Sequence, residues 1–100
     1  MLNAKQLEEK IEASTAPRVT KEYMESRIKR TDFIEIGDNT IVCKMTLDNG
    51  YAVTGVTGCV NPENYDLEIG KKVSYDKAFA RLWPLFGFML TENQFLNGGK

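Results

Sequence analysis

One hundred residues, 42% apolar and 27% charged, make one soluble α+β-sized domain with a thin core. A net charge of −1 gives no overall pull toward DNA or RNA, and no apolar run approaches the roughly 20 residues that cross a membrane. With no histidine the chain cannot carry Ser-His or Cys-His catalysis, and two cysteines cannot alone complete a tetrahedral zinc site.

The start, Met1-Leu2-Asn3-Ala4-Lys5-Gln6, lacks an apolar signal region, so the protein is expected to act in the cytoplasm where it is made. Asn3 can cap a helix over Ala4 to Ala13, with Leu7 and Ile11 one turn apart on a narrow stripe. Ser14-Thr15-Ala16-Pro17 ends it, so residues 1–15 read as a lightly packed helix and linker. Thr20 caps a second short helix from Lys21 to about Lys29, with Met24 and Ile28 turned inward.

Three strands follow: Asp32 to Ile36, Thr40 to Leu47 and Tyr51 to Val56. Two-residue turns at Asp38-Asn39 and Asn49-Gly50 would join them into an antiparallel sheet. That register sets Ile34 opposite Cys43, Ile36 opposite Ile41, Met45 opposite Thr54 and Leu47 opposite Ala52. The core face would then hold Ile34, Ile36, Ile41, Cys43, Met45, Leu47, Ala52, Thr54 and Val56. Phe33, Glu35, Val42, Lys44, Thr46, Tyr51, Val53 and Gly55 would form a mixed outer face. Cys43 and Cys59 read as free thiols of a reducing compartment, with a disulfide as the alternative.

A long helix is expected from Asn64 or Tyr65 to about Leu90. Gly70 should weaken its start, and Pro84 should kink or interrupt it after Trp83. Its apolar residues, including Phe79, Leu82, Trp83, Leu85 and Phe86, exceed what one small sheet can cover. A self-association surface is therefore expected beside the core role. Residues 91–100 read as a flexible tail.

The chemistry legible in this chain is binding chemistry. No acidic pair, metal loop, phosphate loop or dinucleotide fingerprint stands out, and enzymatic activity is not expected. Tyr51, right after the Asn49-Gly50 turn, can stack on a planar ligand. Asn61 and Asn64 flank Pro62 before the long helix, where backbone donors suit an anion. Arg18, Arg27, Arg30 and Arg81 can pair with phosphate or stack on a base. An aromatic ring, two amides and a few arginines are parts of a nucleotide pocket. Each also has a plain reading as a turn residue, a helix start or a solubilising surface.

Several motifs occur in a fixed order: Ala16-Pro17-Arg18-Val19-Thr20; Asn49-Gly50-Tyr51 with Val53, Gly55 and Cys59; and Asn61-Pro62-Glu63-Asn64-Tyr65-Asp66 with Glu68-Ile69-Gly70. Ala78, Leu82-Trp83-Pro84-Leu85 and Gly87-Phe88 complete the set. Together, over about Pro17 to Leu90, they resemble a group of small tailed-phage proteins, the gene product forty-nine and sixty-six type. The same pattern resembles the Thoeris anti-defence protein one group. Those phage proteins bind cyclic ADP-ribose isomers made in bacterial immunity without degrading them, and members also bind CBASS cyclic oligonucleotides at separate sites in a hexamer. The resemblance implies a cytoplasmic sponge in the infected bacterial host, assembled as a dimer or hexamer. It needs no cofactor, and its partners are cyclic nucleotides rather than DNA, RNA or membrane. By resemblance Tyr51 and Asn61 match ligand positions, with Arg81 and Arg27 as further carry-overs; the group usually has phenylalanine where Tyr51 stands. Two other functions fit the same residues: an inhibitor that docks its outer sheet face on a host enzyme, and a structural oligomer without a ligand.

Overall fold

A computed structural model describes residues 1–13, 17–59, 63 and 65–98. In chain order it contains α1 (Ala4–Ala13), α2 (Lys21–Ser26), β1 (Ile28–Ile36), β2 (Thr40–Leu47), β3 (Ala52–Gly58), α3 (Leu67–Ala80) and α4 (Leu82–Leu96). The sheet is antiparallel in the order β1-β2-β3, with α3 across one face. The fold is α+β, with two short helices before the sheet and a long bent helical segment after it, as the sequence predicts.

Local chemistry explains the helix starts. Asn3 and Gln6 form a reciprocal capping box: the Gln6 N–H donates to Asn3 Oδ1 at 2.8 Å and the Asn3 N–H to Gln6 Oε1 at 3.1 Å. Thr20 Oγ1 accepts from the Tyr23 N–H at 3.1 Å, and Asp66 Oδ1 accepts from the Ile69 N–H at 3.1 Å. α2 stops at Ser26, three residues before the expected end. There the chain changes to strand: the Arg27 carbonyl accepts from the Asp48 N–H at 2.9 Å, and Ile28 pairs with Leu47. Sheet pairing outcompetes a short helix whose own propagation gains little.

Both hairpins differ from expectation by one residue. The loop after β2 has three residues, Asp48, Asn49 and Gly50, closed by the Leu47 N–H donating to the Tyr51 carbonyl at 2.8 Å. Gly50 sits at φ 93°, where a side chain would be strained, as in a three-residue hairpin loop ending in a left-handed residue. The first hairpin also has a three-residue loop, Gly37-Asp38-Asn39 between paired Ile36 and Thr40, with its left-handed residue, Gly37 at φ 67°, at the start rather than the end. The register is therefore Ile34↔Val42↔Val56, Phe33↔Cys43↔Gly55 and Thr31↔Met45↔Val53.

A one-residue slip sends every side chain of a strand to the other face. β2 keeps its expected core face, with Ile41, Cys43, Met45 and Leu47 buried. In β3 the buried residues are Val53 and Gly55; Thr54 and Val56 are exposed and Ala52 is half-buried. In β1, Phe33 and Glu35 turn toward α3: Lys71 Nζ lies 5.5 Å from the Phe33 ring centre, and Tyr65 Oη donates to Glu35 Oε1 at 3.1 Å. Ile34 and Ile36, expected inside, are 54% and 56% exposed on the outer face.

Small residues bring α3 onto the sheet. A Cβ on Gly55 would collide with the Ser74 carbonyl and the Ala78 N–H, both backbone groups of α3. Gly70 meets the Ile41 side chain in the same way, so it serves close packing at the cost of some helix propensity. Met24, Cys43, Met45, Leu47, Val53, Ala78, Phe79, Leu82 and Phe86 form the core cluster.

The helix breaks at Arg81, three residues earlier than the position of Pro84 and upstream of the expected kink after Trp83. Proline clashes with the carbonyl four residues before it, here Ala80, so the disturbance lies a turn upstream. α4 then continues to Leu96, beyond the expected boundary near Leu90, so most of the expected flexible tail is helix.

Candidate functional site

Tyr51 stands at the β2–β3 turn and is 56% exposed. Two hydrogen bonds fix its backbone: its carbonyl accepts from Leu47, and its N–H donates to Asn49 Oδ1 at 2.9 Å. The ring therefore leaves a rigid turn beside α4. Leu47, Asn49, Tyr51, Leu85, Phe86, Phe88 and Met89 line a groove of about 280 Å³ there.

A second groove of about 280 Å³ lies across Phe86 and Met89, which both grooves share. Arg18, Val19, Tyr23, Leu90 and Asn93 complete it. The Phe86 ring meets the Tyr23 ring edge to face, with centroids 5.9 Å apart. The Arg27 guanidinium lies 5.7 Å from the Phe86 ring centre and 5.9 Å from that of Tyr23. Its Nε donates to both Asp48 oxygens at 2.8 and 2.9 Å, and Nη1 donates to Tyr23 Oη at 3.0 Å. These hydrogen bonds, that to Asp48 foremost, hold the Arg27 pKa above its ordinary value. Arg27 is a permanent cation anchored beside the aromatic residues.

Three of the seven candidate residues thus gather around Phe86 and Met89: Tyr51, Arg18 and Arg27; Arg30 lies on β1, paired with Asp32 at 2.9 Å. Arg81 is exposed at the α3–α4 break and lines neither groove. Asn61 and Asn64 lie outside the described residues. A smaller groove of about 150 Å³ is lined by Asn39, Thr57, Gly58, Cys59, Tyr65, Asp66, Ile69 and Gly70. Burial, then the hydrogen bond to Glu35, pushes the Tyr65 phenol above its ordinary pKa, so it stays a donor at neutral pH. Cys43 is buried and Cys59 half-buried, and the described residues contain no cluster suited to a metal ion. No described helix is long and apolar enough to cross a membrane.

Sequence reasoning did not assign Tyr23, Val19, Met89 or Asn93 to a site. The available signal was the apolar girth of α4, where Trp83, Phe88, Phe95 and Leu96 stay 43–68% exposed.

The model of the phage protein (N4 Gp49/phage Sf6 gene 66) family matches residues 19–94. The chain belongs to this family. The matched span of this phage protein begins just before α2 and ends inside α4, so it holds the sheet, Tyr51, Arg27, Arg81 and almost all of both grooves. Arg18 and α1 precede it. No curated protein and no solved structure matches the chain.

Proposed function

We propose that this phage protein binds a cyclic nucleotide signal of bacterial immunity in the host cytoplasm and withholds it from its effector without cleaving it. The observation that carries this reading is the exposed Tyr51 ring at the edge of an apolar groove whose other wall, Phe86, is backed by the Arg27 cation. A cyclic dinucleotide presents planar bases, ribose hydroxyls and two phosphate charges. Tyr51 can stack on a base, Arg18 can meet a phosphate at the adjoining groove, and Asn93 can hydrogen-bond a sugar or base edge. The resemblance of the Asn49-Gly50-Tyr51 and Asn61-Pro62 motifs to the Thoeris sponge group supports the same ligand class, whether cyclic ADP-ribose isomers or CBASS cyclic oligonucleotides.

Each groove alone is below the roughly 300–1,000 Å³ of an ordinary ligand pocket and is open. A second copy seated on the exposed rings of α4 would deepen the pair and could bring in Arg81 from its own chain. The working form is therefore a homo-oligomer, a dimer or a hexamer. Sequestration is stoichiometric, so the protein needs nanomolar affinity, about −12 kcal/mol.

The test is incubation with a panel of cyclic ADP-ribose isomers and cyclic di- and trinucleotides, removal of free ligand, and release by heat. Intact recovery of one of them at a ratio fixed by the number of protomers supports the reading. Conversion means an enzyme, and no retention of any of them defeats it. A competing reading, inhibition of a host enzyme through the outer sheet face, is favoured by one observation: Ile34, Ile36 and Val56 are half exposed there.

A further inference from the structure

The order β1-β2-β3 leaves two edge strands, and they differ in charge. β1 carries Lys29, Arg30, Asp32 and Glu35, and its register is irregular between Ile28 and Arg30. Charges and bulges of this kind keep an exposed edge from pairing with another chain. β3 has neither: no charged residue stands between Asp48 and Glu63, and its pairing with β2 is regular. The hydrogen bonds define which groups of β3 face outward. The Leu47 N–H donates to the Tyr51 carbonyl and the Cys59 N–H to the Asn39 carbonyl. The bonded pairs between these two points are then Met45 with Val53, Cys43 with Gly55 and Ile41 with Thr57. The backbone groups of Thr54, Val56 and Gly58 therefore point away from β2, along the edge.

We infer that Lys77 of α3 guards this edge, and that the strand it holds off is β3 of another copy. Its Nζ donates to the outward Val56 carbonyl at 3.1 Å. The approach is close because residue 55 is glycine: a Cβ there would lie 2.9 Å from Lys77 Cβ. Among the described residues no carboxylate pairs with Lys77, so the edge carbonyl is what holds its ammonium group. A strand added to β3 would take that carbonyl from Lys77 and enclose an unpaired cation in the seam. Burying such a charge is costly, and the cost falls on every strand that tries. Another copy's β3 is the strand that would otherwise fit. Its Val53, Thr54, Val56 and Thr57 favour extended backbone, it has no proline, and neither strand would bring a charge against the other. A β1 edge would instead bring four charges and an irregular register. Each chain has one β3 edge besides its α4 surface. Pairing through both would link copies into open chains, so Lys77 also keeps an assembly through α4 closed. This inference is independent of the ligand.

The test compares full-length Lys77→Met and Lys77→Arg with the parent by sedimentation over a range of concentrations. Methionine keeps an unbranched stem and the helix preference but removes the charge and the donors; arginine keeps both. Lys77→Met is expected to form species larger than the parent assembly, in a share that rises with concentration. Lys77→Arg is expected to sediment as the parent does. Amide exchange separates edge pairing from clumping of unfolded chains. In Lys77→Met the outward amides of Thr54, Val56 and Gly58 are expected to exchange more slowly as concentration rises, with those of Val53 and Gly55 as protected as in the parent. Thr54 is exposed, so Thr54→Lys added to Lys77→Met returns a cation to the same edge and is expected to restore the parent mass. Parent mass in Lys77→Met at every concentration overturns the inference. So does equal growth in Lys77→Arg, failure of Thr54→Lys to restore the mass, or growth that leaves exchange at Thr54, Val56 and Gly58 unchanged.

Discussion

The Arg27 guanidinium grips the Asp48 carboxylate through Nε at 2.8 and 2.9 Å, while the Asp48 N–H returns a hydrogen bond to the Arg27 carbonyl at 2.9 Å. The end of α2 is thereby tied to the turn that presents Tyr51. Arg27 also covers Phe86, so the two changes that cut this tie are unequal. Asp48→Ala removes an exposed charge pair, and Arg27→Ala removes the pair and the packing on two rings. Arg27→Ala is expected to lower the urea midpoint more than Asp48→Ala, and 0.5 M salt is expected to reduce most of the Asp48 effect but only the charge-pair part of the Arg27 effect. Equal midpoints would show that the ring contacts contribute nothing.

Gly55 and Gly70 make a contrasting pair. An added Cβ at Gly55 meets backbone of α3, which cannot yield without moving the helix off the sheet. Gly55→Ala is expected to destabilise by about 2–3 kcal/mol. At Gly70 the obstacle is the end of the Ile41 side chain, and the helix gains about 1 kcal/mol from losing a glycine. Gly70→Ala is expected to fall within about 1 kcal/mol of the parent. Denaturant unfolding of both variants checks the order; the reverse order would contradict the packing described.

Burial raises the Cys43 thiol and the Tyr75 phenol above their ordinary pKa values. Each folded form then holds its proton longer than the unfolded chain does. Their contribution is fully present below the unfolded values, ~8.5 for a thiol and ~10 for a phenol, and is lost as pH rises through the folded values. Stability from these groups is therefore expected to be level up to about pH 8 and to fall above about pH 8.5. Cys43→Ala is expected to remove the earlier part of that fall. At pH 7.5 a thiol-reactive dye is expected to label half-buried Cys59 well before Cys43. Equal labelling rates would contradict the burial of Cys43.

Trp83, Phe88, Phe95 and Leu96 leave a large apolar surface on α4. Sedimentation at micromolar concentration is expected to give a mass that is a multiple of 11.3 kDa. Phe88→Asp with Phe95→Asp is expected to return the monomer mass with the helical signal intact, since neither side chain lies in the core cluster. A parent already monomeric would contradict the assembly.

The sequence carried the element order well, because capping residues and hydrophobic period are local signals. Asn3, Thr20 and the β2 alternation of Ile41, Cys43, Met45 and Leu47 all lie as their patterns predict. Register was not legible. Asn49-Gly50 suits a two-residue turn as well as a three-residue loop ending in Gly50, and β1 and β3 carry apolar residues on both faces. The sequence therefore could not choose between Val53 and Val56, or between Phe33 and Ile34, for the core; the packing of Gly55 against α3 decides it. The exposure of Tyr51 beside the candidate groove was legible because an aromatic residue after a glycine turn is exposed by geometry. Tyr23 and Met89 were not, because their stripe reads equally as core.

The most direct measurement is calorimetric titration of Tyr51→Ala, Tyr51→Phe and the parent with the cyclic nucleotide that the parent retains. Stacking of a base on an aromatic ring contributes roughly 1–3 kcal/mol. Tyr51→Ala is expected to bind at least tenfold more weakly with fold and assembly unchanged, and Tyr51→Phe to bind nearly as the parent does. Parental affinity in Tyr51→Ala would contradict a nucleotide site at this groove.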